Sequence, residues 1–429
     1  MHLGRILLAM LVCGSCLVSE ESLLAADGAG AKTYPTPVPP RGARQTMWEL
    51  ERLSRTPETF PVTTAPFDAM SGEAVRPLMY AGEPYRGRPT RVFAWMGFPA
   101  NASPSSPVPG IVLVHGGGGT AFRTWVRTWN ERGYAAIAMD TCGHLPLPLD
   151  TDGKPWPAHE WSGPAGWGGF ASVGDDPHDQ WTYHAVAAVI LGHSLLRAQP
   201  QVDATRIGIT GISWGGYLTN IVAGVDTRLR FAVPVYGCGF IGEGSAWSLR
   251  NLGDDQAQRW VRLWDPAMYV GGATMPMLFC NGTNDRFYRP PIWHRTTLLP
   301  QGPVTRAYKM RMPHGHGAAG DPPEIRAFAD ALCRNATPLP SWTSLRVDGR
   351  RLTATIRAHG AAPITATRLV FTTGHEPWPN RHWQAIPAHL DPQTGTVTTT
   401  APADAQAAYL DATDQRGLLT SSELAFLAK

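Results

Sequence analysis

Apolar positions along this chain fall into two textures. In the first, over residues 75–337, short runs that are apolar throughout alternate with stretches of helical period. The runs at 110–114, 135–140, 206–212, 231–236, 275–282 and 304–312 read as buried strands, and 90–98 alternates as a strand with one covered face. Between them, 123–133, 179–199, 291–299 and 323–334 carry apolar residues at helical spacing, as do Tyr217, Leu218, Ile221 and Val222. Strands alternating with helices predict a mostly parallel sheet with helices on both faces. Ligands then sit at the carboxyl ends of the strands.

The second texture begins after Pro338 and Pro340. Short alternating strands at 345–347, 352–357, 367–372 and 396–400 are separated by turns, and no helical period survives. That pattern predicts a small β-sandwich over 341–429. Two stretches of the first region resist the pattern. Residues 141–177 hold Trp156, Trp161 and Trp167 with seven glycines and six prolines. They read as a lid over a site or as a surface excursion anchored by its tryptophans. Residues 238–264 read as irregular, another wall of a pocket.

At the amino terminus, the apolar run at 6–18 follows a weakly positive start and precedes Leu24, Ala25 and Ala26. This predicts a secretory signal over 1–26 and a secreted or periplasmic protein, with lipid attachment at Cys16 as the minor option. No later run has the length to span a membrane. Residues 27–74 then form a Pro-rich linker and a short helix near 47–55. Composition adds little. With 429 residues, 17% charged residues and a net charge of +3, the chain is globular and carries no electrostatic footprint for nucleic acid. An exported chain can pair its cysteines. Of the four beyond the signal, Cys142 and Cys238 follow strands on the same edge and are the candidate pair, with pairing itself not fixed by the sequence, while Cys280 reads as a buried thiol.

The chemistry concentrates at strand ends. GISWG at 211–215 fits G-x-S-x-G between a strand and a helix, which exposes the hydroxyl of Ser213 at a sharp turn. Acyl transfer by serine also needs a base, a carboxylate to orient it and N–H donors for the oxyanion. Asp285 follows the strand at 275–282, and His314 follows the last strand, with His316 as the alternative base. Asp254, Asp255 and Asp265 are rival acids away from strand ends, and His144, His159, His178, His184, His193 and His294 read as structural. The HGGGG run at 115–119 exposes backbone donors, so Gly116 or Gly117 with Trp214 is expected to form the oxyanion hole. A phosphate loop is excluded by the missing GK[ST] ending. No metal-site spacing is present beyond the signal, and no cofactor is implied.

These motifs, in this order over about residues 75–335, resemble the α/β-hydrolase superfamily. Within it the chain is most similar to the acetylxylan esterase and dienelactone hydrolase-like group. The resemblance implies an α/β-hydrolase domain over 75–337 and a metal-free Ser213, Asp285, histidine triad. It also implies hydrolysis of small acyl esters, including acetyl groups on polysaccharide. The RGQ motif of cephalosporin C deacetylase-type esterases is absent, and Thr141, Cys142, Gly143 and His144 stand roughly where it would lie. The GxSxGGY pattern also resembles prolyl oligopeptidase-type peptidases, though no propeller repeats precede it. A glycan-binding protein on an inactive hydrolase scaffold is the reading from outside enzymology. Oligomeric state is not assigned by the sequence.

Overall fold

A computed structural model describes residues 32–40, 42, 47–147, 156–245, 247, 249–320, 322–360 and 362–427. The signal at 1–26, much of the linker after it and residues 148–155 of the tryptophan-rich stretch lie outside the described residues. The longer elements, in chain order, begin with strands β1 (Val75–Ala81), β2 (Arg91–Gly97) and β3 (Val108–Val114). Helix α1 (Arg123–Glu131), β4 (Ala135–Met139), α2 (Trp181–Arg197), β5 (Val202–Ile212) and α3 (Trp214–Val225) follow. Next come β6 (Phe231–Val235), α4 (Asp254–Trp264), β7 (Met277–Gly282), α5 (Pro290–Thr297), β8 (Val304–Lys309) and α6 (Pro323–Arg334). The chain ends with β9 (Arg351–Arg357), β10 (Ile364–Thr372), β11 (Trp383–Pro387), β12 (Thr396–Thr400), β13 (Ala407–Asp414) and β14 (Leu419–Ser421).

Fourteen strands among the described residues form one sheet, in the order Thr59–Phe60, β1, β2, β4, β3, β5, β6, β7, β8, β14, β13, β10, β11, with Ala425–Phe426 also on β13. From β4 to β8 every neighbour is parallel, while β1 and β2 join antiparallel. Of the parallel strands, β3, β4, β6 and β7 are buried at every residue because both faces of the sheet are covered there. Helix α3 is likewise buried along its whole length, since it packs on β5 and β6 beneath further helical turns at Pro266–Met268 and Val270–Gly272. This is the α/β-hydrolase architecture, a mostly parallel sheet flanked by helices, with a further β-rich region after it.

That region shares the main sheet. Ser421 of β14 pairs antiparallel with Arg306 of β8, and the Ser421 hydroxyl accepts the Tyr308 N–H at 3.1 Å. A second sheet of Ser341–Trp342, β9, β12 and His389–Leu390, with Arg346–Asp348 on β9, faces the shared one. Leu352, Ile356, Leu369, Phe371, Val397 and Leu410 fill the space between them.

Two expectations change, and one strand is added. The irregular stretch contains the eleven-residue helix α4, which buries Ala257, Trp260, Val261 and Trp264 on one face. Strand β1, which the apolar pattern did not predict, contains Pro77; its outer neighbour pairs only at Met79 and Tyr80, so no ladder bond is lost at Pro77 on that side. The candidate Cys142–Cys238 disulfide is absent, and all four described cysteines are free and buried. Cys142 follows β4 and Cys238 follows β6, and β3 and β5 lie between those strands. Three strand spacings amount to about 14 Å, twice the Cα reach of a disulfide at about 7 Å. Cys280 is a buried thiol in β7, as expected. No helix among the described residues is long and apolar enough to cross a membrane.

Candidate active site

Ser213 stands between β5 and α3 with φ 58° and ψ −117°, a conformation that the surrounding turn must impose. The two glycines of the motif permit it. A Cβ on Gly215 would lie 2.2 Å from the Val114 carbonyl oxygen, and one on Gly211 would lie 2.3 Å from the Gly215 carbonyl oxygen. The Ser213 N–H donates to the Val235 carbonyl at 2.9 Å, which ties the turn to β6. Trp214 opens α3, so its N–H belongs to the first helical turn, where donors have no intrahelical acceptor and the dipole favours negative charge.

Asp285 follows β7 and is buried. Its Oδ1 accepts the N–H groups of Phe287 at 2.8 Å and Tyr288 at 2.7 Å, which leaves Oδ2 to accept from His314 Nδ1 at 2.6 Å. With the proton on Nδ1, His314 Nε2 presents its lone pair to the Ser213 hydroxyl at 2.9 Å. The three sequence-derived residues therefore form one chain of hydrogen bonds. Tyr236 steadies the histidine loop: its hydroxyl donates to the Pro313 carbonyl at 2.6 Å, and its ring lies 4.3 Å from that of His314. Phe287 covers His314 from another side at 4.7 Å.

His316 sits elsewhere. Its Nε2 accepts the Gly116 N–H at 3.1 Å, and its ring packs at 5.1 Å from Phe122 and 5.9 Å from Trp125. The Gly116 donor is thus engaged, which leaves the N–H groups of Gly117 and Trp214 as the pair of candidate oxyanion donors. Sequence reasoning passed over the support beneath this loop. His115 is buried; its Nδ1 donates to the Gly116 carbonyl at 3.0 Å, and its Nε2 accepts the Thr141 N–H at 3.0 Å. Because Nε2 accepts an N–H, the ring is neutral in this arrangement; burial also pushes its pKa below the ordinary histidine value, despite the nearby Asp140 carboxylate. Asp140 Oδ1 accepts the N–H groups of Cys142 and His144, and Oδ2 accepts the Thr120 hydroxyl. The signal for this pair was in the sequence: a histidine and an aspartate at the ends of two neighbouring strands.

The rival acids lie apart. Asp254 pairs with Lys32 at the start of α4, and Asp265 accepts the N–H groups of Phe240, Ile241 and Ala267 beneath the surface. Among the other histidines, His193 pairs with buried Asp226 at 2.8 Å, His178 with Asp176 at 3.0 Å, and His294 accepts the Leu424 N–H at 3.4 Å. Of the tryptophan-rich stretch, Trp167 packs edge-on to His115 at 5.5 Å and to Trp181 at 5.8 Å, and Phe170 packs 5.9 Å from Trp214. Trp161 instead faces outward under Arg91, at 4.0 Å.

Comparison with known proteins adds a frame. The family model described as acetyl xylan esterase (AXE1) matches residues 70–251, and that described as the prolyl oligopeptidase family matches residues 173–330. The solved acetyl xylan esterase from Paenibacillus sp. R4 is similar at 20% identity with a TM-score of 0.52, over 68% of this chain and 96% of that one. Acetyl xylan esterase 1 from Thermoanaerobacterium sp. JW/SL YS485 follows at 16% identity and a TM-score of 0.48, over 74% and 97% of the two chains. Among curated proteins, the uncharacterized peptidase YuxL of Bacillus subtilis (strain 168) is 29% identical over 102 residues, which span 21% of this chain and 15% of that relative.

Proposed function

We propose that this member of the α/β-hydrolase superfamily is an exported serine esterase that removes short acyl groups, chiefly acetyl, from carbohydrate. The observation that carries the reading is the hydrogen-bonded chain from Asp285 through His314 to Ser213 at the head of α3. The catalytic part is taken as residues 75–337, followed by the β region 341–429. The match of residues 70–251 to acetyl xylan esterases favours the ester, and the low charge and aromatic walls favour a neutral sugar.

The steps follow from the geometry. Ser213 Oγ attacks the ester carbonyl as its proton passes to His314 Nε2. Asp285 holds the ring in the required tautomer and stabilises the imidazolium. The N–H groups of Gly117 and Trp214 receive the oxyanion. The alcohol leaves with the proton from Nε2, and water, activated by the same nitrogen, releases the acid. A peptidase reading rests on the match of residues 173–330 to the prolyl oligopeptidase family, because the same triad can cleave an amide.

The test is hydrolysis of p-nitrophenyl acetate, butyrate and octanoate by the wild type beside Ser213→Ala, His314→Ala and His316→Ala. Ser213→Ala and His314→Ala should each lower kcat by about a thousandfold or more. His316→Ala should cost only about fivefold to tenfold, the loss of one hydrogen bond to the glycine loop. Turnover that survives in Ser213→Ala, or that depends on His316 rather than His314, refutes these assignments.

A further inference from the structure

We infer that the indole of Trp214, the residue after the nucleophile, closes the acyl side of the site and limits the substrate to short acyl groups. The inference deepens the esterase reading and rests on it.

The direction of the acyl group follows from the chemistry. The leaving alcohol must take its proton from His314 Nε2, so the alcohol lies beside His314 and the acyl substituent points away from it. Ring contacts connect His314 to Trp214 through Phe287 at 4.7 Å from His314, Trp247 stacked on Phe287 at 5.2 Å, and Trp214 at 5.0 Å from Trp247. There the indole fills the corner. A Cβ on Gly117 would stand 2.7 Å from Trp214 Cδ1, and one on Gly168 would stand 2.7 Å from Trp214 Cη2. The two ends of the same ring system thus touch the oxyanion loop and the tryptophan-rich stretch. Phe170 at 5.9 Å, Trp181 at 5.9 Å and Tyr217 at 4.8 Å hold its remaining faces.

Hydrogen bonding does not explain the choice of residue. Trp214 is 1% exposed, yet its Nε1 is buried without a partner among the described residues. An orphaned buried donor is destabilising, and phenylalanine would avoid that cost. What the indole adds over phenylalanine is its longer outline, which spans from Gly117 to Gly168. A small acyl group would need only the space beside Ser213, whereas a long chain would have to displace this buried indole.

The experiment compares kcat/KM for p-nitrophenyl acetate and octanoate in the wild type, Trp214→Phe, Trp214→Leu and Trp214→Ala, with a thermal melt of each. Using the ratio of the two substrates within each variant cancels any general loss of rate. The wild type should favour acetate, and the octanoate-to-acetate ratio should climb as the side chain shrinks, by on the order of tenfold or more in Trp214→Ala. Should Trp214→Ala not fold, the Phe and Leu variants carry the same trend. A folded series with an unchanged ratio, or a wild type that already accepts octanoate as readily as acetate, overturns the inference while leaving the esterase reading intact. Absence of any Ser213-dependent ester turnover overturns the esterase reading, and the inference falls with it.

Discussion

The strained backbone of Ser213 and the neutral ring of His115 belong to the same economy of burial, in which polar groups stay inside only where geometry holds them. His184 extends it to stability. It lies against Tyr85 and Tyr183, and burial pushes its pKa down to about 4, as it does for His294. Unfolded, each would titrate near 6.5. Between these values the unfolded chain binds protons that the folded chain refuses, so stability is lost as pH falls from about 6.5 to 4. Asp265, pushed up to about 6 by burial, opposes this over the same window. Melting temperatures measured from pH 7 to 4.5 should therefore fall, and the fall should shrink in His184→Asn; an equal slope in that variant counts against the assignment. The hydrogen-bonded grouping of Ser213, Asp285 and His314 was legible because motif spacing and chain order bring those three to neighbouring strand ends. His316 was ambiguous, since G-H-G context does not say which ring faces the serine, and only its bond to Gly116 resolves its place.

The elements around the site were legible where their period was unbroken. Strands β3 to β8 and helices α2 and α6 lie close to their expected positions. The helix α4 was missed because tryptophans and charges obscure its apolar stripe. Less visible still was the way the acid loop is braced. Asn284, next to Asp285, donates from Nδ2 to the carbonyls of Pro379 at 3.0 Å and Arg381 at 2.8 Å, in the turn before β11. No sequence pattern couples residues so far apart. Asn284→Ala removes both bonds and leaves two carbonyls without this donor. It should destabilise the protein by about 1–3 kcal/mol and lower kcat more than it raises KM. A variant that melts lower with unchanged kcat would confine the bond to stability.

On the scale of the whole molecule, the β-rich texture after Pro340 was legible, whereas its attachment was not, because pairing of distant strands leaves no local trace. The Tyr409 hydroxyl donates to the Tyr308 carbonyl at 3.1 Å, and the two rings lie 4.8 Å apart, so apolar packing joins the strand pairing at this boundary. Calorimetry of the full chain should accordingly show a single cooperative transition, and two separate ones would show that the regions melt independently. The shared sheet has a consequence for descent as well. Chains recombine most freely where few contacts cross a linker. Here the strand that follows the parallel set belongs to the later region, so a cut at residue 340 bares the β8 edge on one product and orphans β14 on the other. The two regions are expected to have been inherited together, with matched changes across β8 and β14, and not to be exchanged among unrelated hydrolases as interchangeable parts.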